Sequence, residues 1–285
     1  MAKPVGAFVG LTTLDMVYAI EGPPVQNTKH VVSRVETFAG GPAANAAVTF
    51  VALGGRAVLT SAIGRHPLGI LARRELEECG VEIVDLIPDF EGLPALASVL
   101  VSQPGGDRTV VSTGSNALPK LPIEFDALAG VRPSVLLVDG HLPRASGIAA
   151  RQARGAEVPV VMDGGTWKDE LGRCLESTDY AICGEEFLPP GCTTDAEALA
   201  YLRNEGATHA AITRGERPIL TPHGEVPVEA VEAVDTLAAG DIFHGAFCYY
   251  AASGLAFEEA LRSASLIARR SCESFGPRSW IDVLK

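Results

Sequence analysis

Short apolar runs alternate with longer helical stretches through most of this chain, and that alternation limits the fold more than any other feature. Residues 7–11, 57–63, 135–139, 158–163, 180–183 and 210–213 read as strands, and residues 43–53, 68–79, 146–154 and 196–205 read as helices. Apolar runs bounded by polar or Gly residues and separated by helices are parallel strands covered on both faces. The expected class is therefore α/β: a wound, mostly parallel sheet flanked by helices. Two more helices, 240–253 and 257–274, close the chain around Gly254-Leu255-Ala256. There is no repeat, low-complexity tract or dividing linker, so residues 1–285 are expected to form one body.

Two regions break the rhythm. Residues 28–38 are β-rich, and 97–113 divide around Pro104-Gly105-Gly106-Asp107 into two halves that look like a hairpin. They pair either as a small sheet outside the main one, a lid cut from about 12–38 and 95–113, or as edge strands of the main sheet.

Charge narrows the partners. Lys and Arg total 23 against 35 Asp and Glu, a net −12, and the basic residues are scattered, so no nucleic acid is expected. A phosphorylated ligand remains compatible where backbone N–H groups or a bound cation offset its charge. The uncharged stretch 37–55 contains Gly40, Gly41, Pro42, Asn45 and Gly54-Gly55, which argues against a bilayer span. The N-terminus runs directly into an apolar strand without a signal-peptide pattern, giving a cytoplasmic expectation. Six cysteines without a CxxC pair are expected to be buried free thiols.

Two segments carry chemistry. In Val234-Asp235-Thr236-Leu237-Ala238-Ala239-Gly240-Asp241, small residues lie between two carboxylates at the mouth of a long apolar helix. Free N–H groups of a first helical turn attract anions, so Ala239, Gly240 and Asp241 either form an anion hole or are close packing around an ordinary helix start. Asp241 beside such a hole is placed to accept a proton from a hydroxyl attacking phosphorus, although the positive helix end is expected to lower its pKa. In Gly40-Gly41-Pro42-Ala43-Ala44-Asn45, Pro42 suits a helix start. Asn45 there either meets adjacent sugar hydroxyls or serves as a satisfied capping residue.

Together these segments, with Leu53-Gly54, resemble the two signatures of the ribokinase or phosphofructokinase-B (PfkB) family of carbohydrate kinases, in the same order and separation. The likeness runs from Val9 to about Gly276 and looks most like the sulfofructose kinase and ketohexokinase branches. It implies a ribokinase-like fold with a β lid, and transfer of the ATP γ-phosphoryl to a hydroxymethyl group of a furanose-like sugar, a ketohexose or a derivative. ATP and Mg²⁺ are the implied cofactors, and the lid implies a homodimer. By position, Asp241 matches the base, and Ala238, Ala239 and Gly240 match the anion hole. Asp15, Gly41, Asn45 and Arg108 match substrate contacts, and Thr213, Gly215 and Gly276 the nucleotide side. Asp235 matches a monovalent-cation ligand, which brings in K⁺. A nucleoside kinase of the same family, or a catalytically weak sugar- or nucleotide-binding protein, is the alternative.

Three departures stand out. Ala238 replaces a usual Gly, which would cost about 1 kcal/mol if its φ is positive. The Asn-x-x-Glu of the Mg²⁺ side falls at Gly184-Glu185-Glu186-Phe187 with neither residue in register, leaving Glu185 and Glu186 as stand-ins or solvated acids. Pro218 replaces a common Gly. Beyond the motifs, His244 either touches substrate or is structural, and Asp163 ends a strand as a cleft or turn residue.

Overall fold

The computed structural model describes residues 3–284 except 33, 104, 123, 129, 169 and 170, so Pro104 of the expected turn lies outside the described residues. From the N-terminus, β1 (Val5–Val9) leads into β2 (Thr13–Glu21), β3 (Val35–Gly40), α1 (Pro42–Ala52), β4 (Arg56–Ser61), α2 (Pro67–Glu78) and β5 (Glu82–Asp85). Then come β6 (Ala95–Gln103), β7 (Arg108–Ser112), β8 (Val135–Val138), α3 (Pro143–Gly155), β9 (Val160–Gly164), α4 (Gly172–Leu175) and β10 (Tyr180–Gly184). The chain continues through α5 (Asp195–Asn204), β11 (His209–Arg214), β12 (Arg217–Thr221), β13 (Gly224–Val226), α6 (Ala239–Ala252) and α7 (Phe257–Ser271).

The strands form two sheets. The larger runs β13-β12-β11-β10-β9-β8-β1-β4-β5, parallel from β11 to β5 and antiparallel at β12 and β13. Alternate side chains feed opposite cores: Phe8, Leu137, Val161 and Ile182 pack toward α1, α6 and α7, whereas Val9, Val138, Met162 and Cys183 pack toward α3 and α5. The winding direction reverses between β1 and β8, and ligand crevices of such sheets open beside the carboxyl ends of the strands at this switch.

The second sheet, β3-β2-β6-β7, is separate. It is assembled from one excursion between β1 and α1 and another between β5 and β8. Residues 22–32 and 34 carry no strand, so the β-rich character expected from residue 28 starts at Val35. Period-2 alternation gives the sheet two unlike faces. Asp15, Val17, Ala97, Val99 and Val101 share the inner one, packed with Phe275 and Leu237, while Met16, Ser98 and Val111 are cross-strand neighbours on the outer one.

Helices α1 and α6 meet closely because both faces are made of small residues. A Cβ at Gly245 would lie 2.3 Å from the Ala46 carbonyl oxygen. This approach sets the first turns of the two helices side by side. No helix among the described residues is long and apolar enough to cross a membrane.

Candidate active site

Asn45 and Asp241 meet across that helix contact: the Asn45 Nδ2 donates to Asp241 Oδ2 at 2.8 Å. Asn45 is itself oriented by Arg278, whose Nη1 donates to Asn45 Oδ1 at 2.9 Å. The remaining nitrogens of that guanidinium are used as well, Nη2 on the Ala39 carbonyl at 2.5 Å and Nε on Glu75 Oε1 at 3.2 Å. Glu75 in turn accepts from the Ala39 N–H. Arg278 and Glu75 therefore brace the end of β3 and the amide of Asn45.

Asp15 comes to the same place from β2. It is buried, accepts from the Thr13 hydroxyl at 2.5 Å, and leaves room for nothing beyond a hydrogen on Gly40. Burial pushes its pKa up to about 6, the Thr13 hydroxyl working against the rise and the Asp241 charge adding to it. Gly41 has φ +96°, and a Cβ there would lie 2.3 Å from the Leu11 carbonyl oxygen, so this turn into α1 requires glycine. Asp139 holds the neighbouring backbone. Its Oδ2 accepts from the N–H groups of Leu11 (2.8 Å) and Ala43 (3.2 Å), and its Oδ1 from His141 N–H (2.9 Å).

Helix α6 starts without a side-chain cap; the Ala239 N–H is taken by the Thr236 carbonyl oxygen at 3.3 Å, which leaves the N–H groups of Gly240 and Asp241 without a backbone partner among the described residues. Ala238, its N-cap, has φ +60°, so the strain that a non-Gly residue carries in this conformation is present, about 1 kcal/mol or more. Gly240 has an ordinary helical φ and nothing within 4 Å of where a Cβ would stand. Nothing in the fold requires glycine there, and the space beside its backbone is open. The expectation that the helix end lowers the Asp241 pKa is corrected: burial outweighs it and raises the pKa, with the Asn45 hydrogen bond and the His244 and Arg108 charges opposing. The result is a stronger base than the helix dipole alone would allow.

His244 does not reach substrate space. It is buried in α6, with Nδ1 2.7 Å from the Gly240 carbonyl oxygen, Nε2 3.1 Å from that of Ile182, and Asp163 Oδ2 at 3.4 Å. Asp163, at the end of β9, therefore faces His244.

The loop before α6 is clamped. Asp235 is buried, its Oδ1 accepting from Leu237 N–H at 2.8 Å and its Oδ2 from Gly276 N–H at 2.9 Å. Burial raises its pKa against those two hydrogen bonds. Gly276 thus stands beside Asp235. From the small sheet, Arg108 Nη1 donates to the Thr236 carbonyl (3.0 Å) and hydroxyl (2.9 Å), Thr236 Oγ1 donates to the Gly106 carbonyl (3.0 Å), and Gln103 Nε2 to the Val234 carbonyl (3.0 Å). The hairpin tip is fastened to the loop that leads into α6.

Further along the large sheet, the Thr213 hydroxyl donates to the Cys183 carbonyl at 3.3 Å, and Gly215 turns the chain into β12 with φ +63°. Glu185 is paired with Arg217, Glu186 is exposed, and the Pro218 carbonyl accepts from Arg214 Nε at 2.8 Å. Among the described residues no three His, Cys, Asp or Glu side chains cluster as a metal site. Mg²⁺ commonly takes only one or two carboxylates plus phosphate oxygens and water, so the exposed Glu186 suits such a role better than the paired Glu185.

Of the sequence-derived residues, the structure brings Asp15, Gly41, Asn45, Ala238, Ala239, Gly240 and Asp241 into one cleft. Asp235, Gly276 and Arg108 gather on the loop beside it, while Thr213, Gly215, Glu185 and Glu186 line the ends of β10 and β11. Sequence reasoning missed Arg278, Glu75 and Asp139; the signal for Asp139 was its place at the end of an expected strand.

Comparison with known proteins identifies the family and the fold. The family model described as pfkB family carbohydrate kinase matches residues 7–283. A ribokinase of Arabidopsis thaliana is 26% identical over 280 residues, covering 91% of this chain and 74% of its own. A ketohexokinase of Mus musculus is 21% identical over 281 residues, covering 93% and 94%. The solved structure of Arabidopsis thaliana ribokinase complexed with ribose and ATP superposes with a TM-score of 0.77 at 23% identity, covering 100% of this chain and 99% of that one.

Proposed function

The chain belongs to the pfkB family of carbohydrate kinases, phosphotransferases with an alcohol acceptor, and from that premise we propose that it transfers the γ-phosphoryl of ATP to a hydroxymethyl oxygen of a neutral furanose-like sugar. The observation that carries this reading is the Asn45–Asp241 contact at the uncapped start of α6, which sets a raised-pKa carboxylate and free N–H groups around one spot.

In this reading Asp15 and Asn45 hold sugar hydroxyls, Asp241 takes the proton of the attacking hydroxyl, and the N–H groups of Gly240 and Asp241 receive the developing phosphoryl charge, that of Ala239 being donated to the Thr236 carbonyl. Phosphoryl transfer has a loose transition state, so placing the hydroxyl matters more than base strength. Mg²⁺ on the phosphates, with Glu186 as the protein's contribution, would offset their charge. The small sheet acts as a lid that excludes water. Asp235 retains a second lone pair on each oxygen for a monovalent cation, a role checked by comparing activity in KCl and choline chloride.

A neutral sugar is favoured because the cations near the cleft are already engaged: Arg278 on Glu75, Ala39 and Asn45, and Arg108 on Thr236. The substrate class includes the ketohexoses expected from the sequence and, from the names of the relatives, ribose. The six free cysteines suit a reducing compartment, in keeping with the cytoplasmic expectation.

The test is a product assay with ATP, Mg²⁺ and a panel of ribose, ketohexoses and nucleosides, run beside Asp241→Asn. The expected result is a phosphorylated sugar from the wild type and a loss of roughly 10²–10⁴-fold in the variant. Equal turnover by the two would remove Asp241 as the base. Sugar binding without any product would make the chain a binding protein.

A further inference from the structure

His244 is a buried titratable group that the reaction above does not use. Both of its ring nitrogens face backbone carbonyl oxygens, Gly240 at 2.7 Å and Ile182 at 3.1 Å. A carbonyl oxygen can only accept, and a neutral imidazole has one N–H to give. With one proton on the ring, one of these contacts would set a nitrogen lone pair against an oxygen lone pair in a buried site, an arrangement that costs free energy. Two protons satisfy both contacts, and the resulting charge has a counter-ion at 3.4 Å in Asp163.

Burial acts against this charge separation, lowering the His244 pKa and raising that of Asp163. The competing state is a neutral ring beside a protonated Asp163. It contains the same number of protons, so the question is which residue holds the proton, and the two carbonyls select the ring. The other charged or titratable groups around the pair are Asp241 on α6, Asp139 at the end of β8, Lys168 after β9, and the thiols of Cys183 and Cys248. Burial keeps both thiols protonated, so they add no charge.

The Gly240 carbonyl and the Asp241 N–H belong to one peptide unit. A cationic donor on the oxygen polarises that unit and strengthens the N–H at its other end. We propose that His244 is a positioning residue for phosphoryl transfer, held as an imidazolium between two carbonyls with Asp163 as counter-ion, and that it acts through the Gly240–Asp241 peptide on the N–H that receives phosphoryl charge. The inference deepens the kinase reading and rests on it.

Two measurements test it. In ¹⁵N-histidine-labelled wild-type protein, the His244 ring is expected to show two protonated nitrogens from about pH 6 to about pH 9, whereas a free imidazole loses its proton near about 6.5. The signal is assigned by its loss in His244→Asn or, should that variant not fold, by substituting the other five histidines in turn. Asp163→Asn is expected to bring the second deprotonation into that range, with activity falling as pH rises through it. In folded His244→Asn, kcat is expected to fall about tenfold while the sugar KM stays within about twofold, the size of a charge-assisted bond over a neutral one. A single ring N–H in the wild type near neutral pH overturns the proposal, as does an unchanged kcat or a loss confined to sugar KM. Absence of any product in the wild type defeats the kinase reading instead and leaves the ring measurement standing on its own.

Discussion

In its proposed role at the sugar hydroxyls, Asp15 would couple substrate binding to pH. Its carboxylate accepts hydroxyl protons, and because burial raises its pKa to about 6 it gains a proton just below neutrality. A group with a raised carboxyl pKa is charged above that value and neutral below it, so sugar affinity is expected to be full at about pH 8 and to weaken as pH falls through about 6. Asp15→Asn is expected to flatten that dependence and to weaken binding at about pH 8 by roughly tenfold, one lost charge-assisted hydrogen bond. Calorimetric titration with sugar alone reads both, and a wild-type affinity that does not change between about pH 5 and about pH 8 would contradict the assignment. Asn45 and Asp241 stood out in the sequence because each sits among small residues at the start of a helix, whereas Asp15, between Leu14 and Met16 in β2, was reached only through the family resemblance. Arg278 and Glu75 were not, since one is a lone cation in Phe275-Gly276-Pro277-Arg278 and the other lies in a polar helix. Their role exists only through a contact between residues 203 positions apart.

Two glycines in one helix separate architecture from ligand access. A Cβ at Gly245 would stand 2.3 Å from Ala46 O and 2.8 Å from Thr49 Cβ, whereas one at Gly240 would meet nothing within 4 Å. Gly245→Ala is therefore expected to force α1 and α6 apart, costing about 1–3 kcal/mol and loosening the Asn45–Asp241 contact with a fall in kcat. Gly240→Ala is expected to keep or raise stability by up to about 1 kcal/mol, since it removes a helical glycine, and to weaken ATP binding by intruding on the anion's approach. Urea unfolding and nucleotide titration of both variants check the pair; equal loss of stability would show that Gly240 also serves packing. At this scale the parallel strands were readable from their continuous apolar character. The expected helix 257–274 ends instead at Ser271, where the Cys272 thiol and amide cap the last turn. Strands at and next to the sheet margins were hidden: the edge strand β5 alternates the exposed Glu82 and Val84 with the half-buried Ile83 and Asp85, and β12, beside the edge strand β13, contains Pro218, a residue depleted in strands.

For the whole molecule, the acidic net charge and the proposed phosphate binding are compatible, because backbone dipoles at a helix start can meet an anion without a basic surface. The small sheet poses the larger question. Its inner face packs on Phe275 and Leu237, but its outer face leaves Val35 at 52%, Met16 at 42% and Val111 at 69% exposure, and both edge strands, β3 and β7, have no further partner strand among the described residues. Met16, Ser98 and Val111 line one row and Val35, Tyr18, Leu100 and Thr109 the next, so the exposed apolar groups share one face across four strands. An apolar sheet face with open edges favours association, and a second copy of the same sheet offers a self-complementary surface under two-fold symmetry. We therefore expect a homodimer joined through the lids, with sedimentation equilibrium giving twice the 29.8 kDa chain mass. Met16→Lys with Val111→Lys, both distant in sequence from the start of α6, is expected to yield a folded monomer. Because each lid would then close without a partner to steady it, the monomer should also show a raised sugar KM with kcat less affected. A wild type that sediments as a monomer at micromolar concentration would reject the lid dimer and leave closure to the hairpin tip that Arg108 and Gly106 fasten to Thr236.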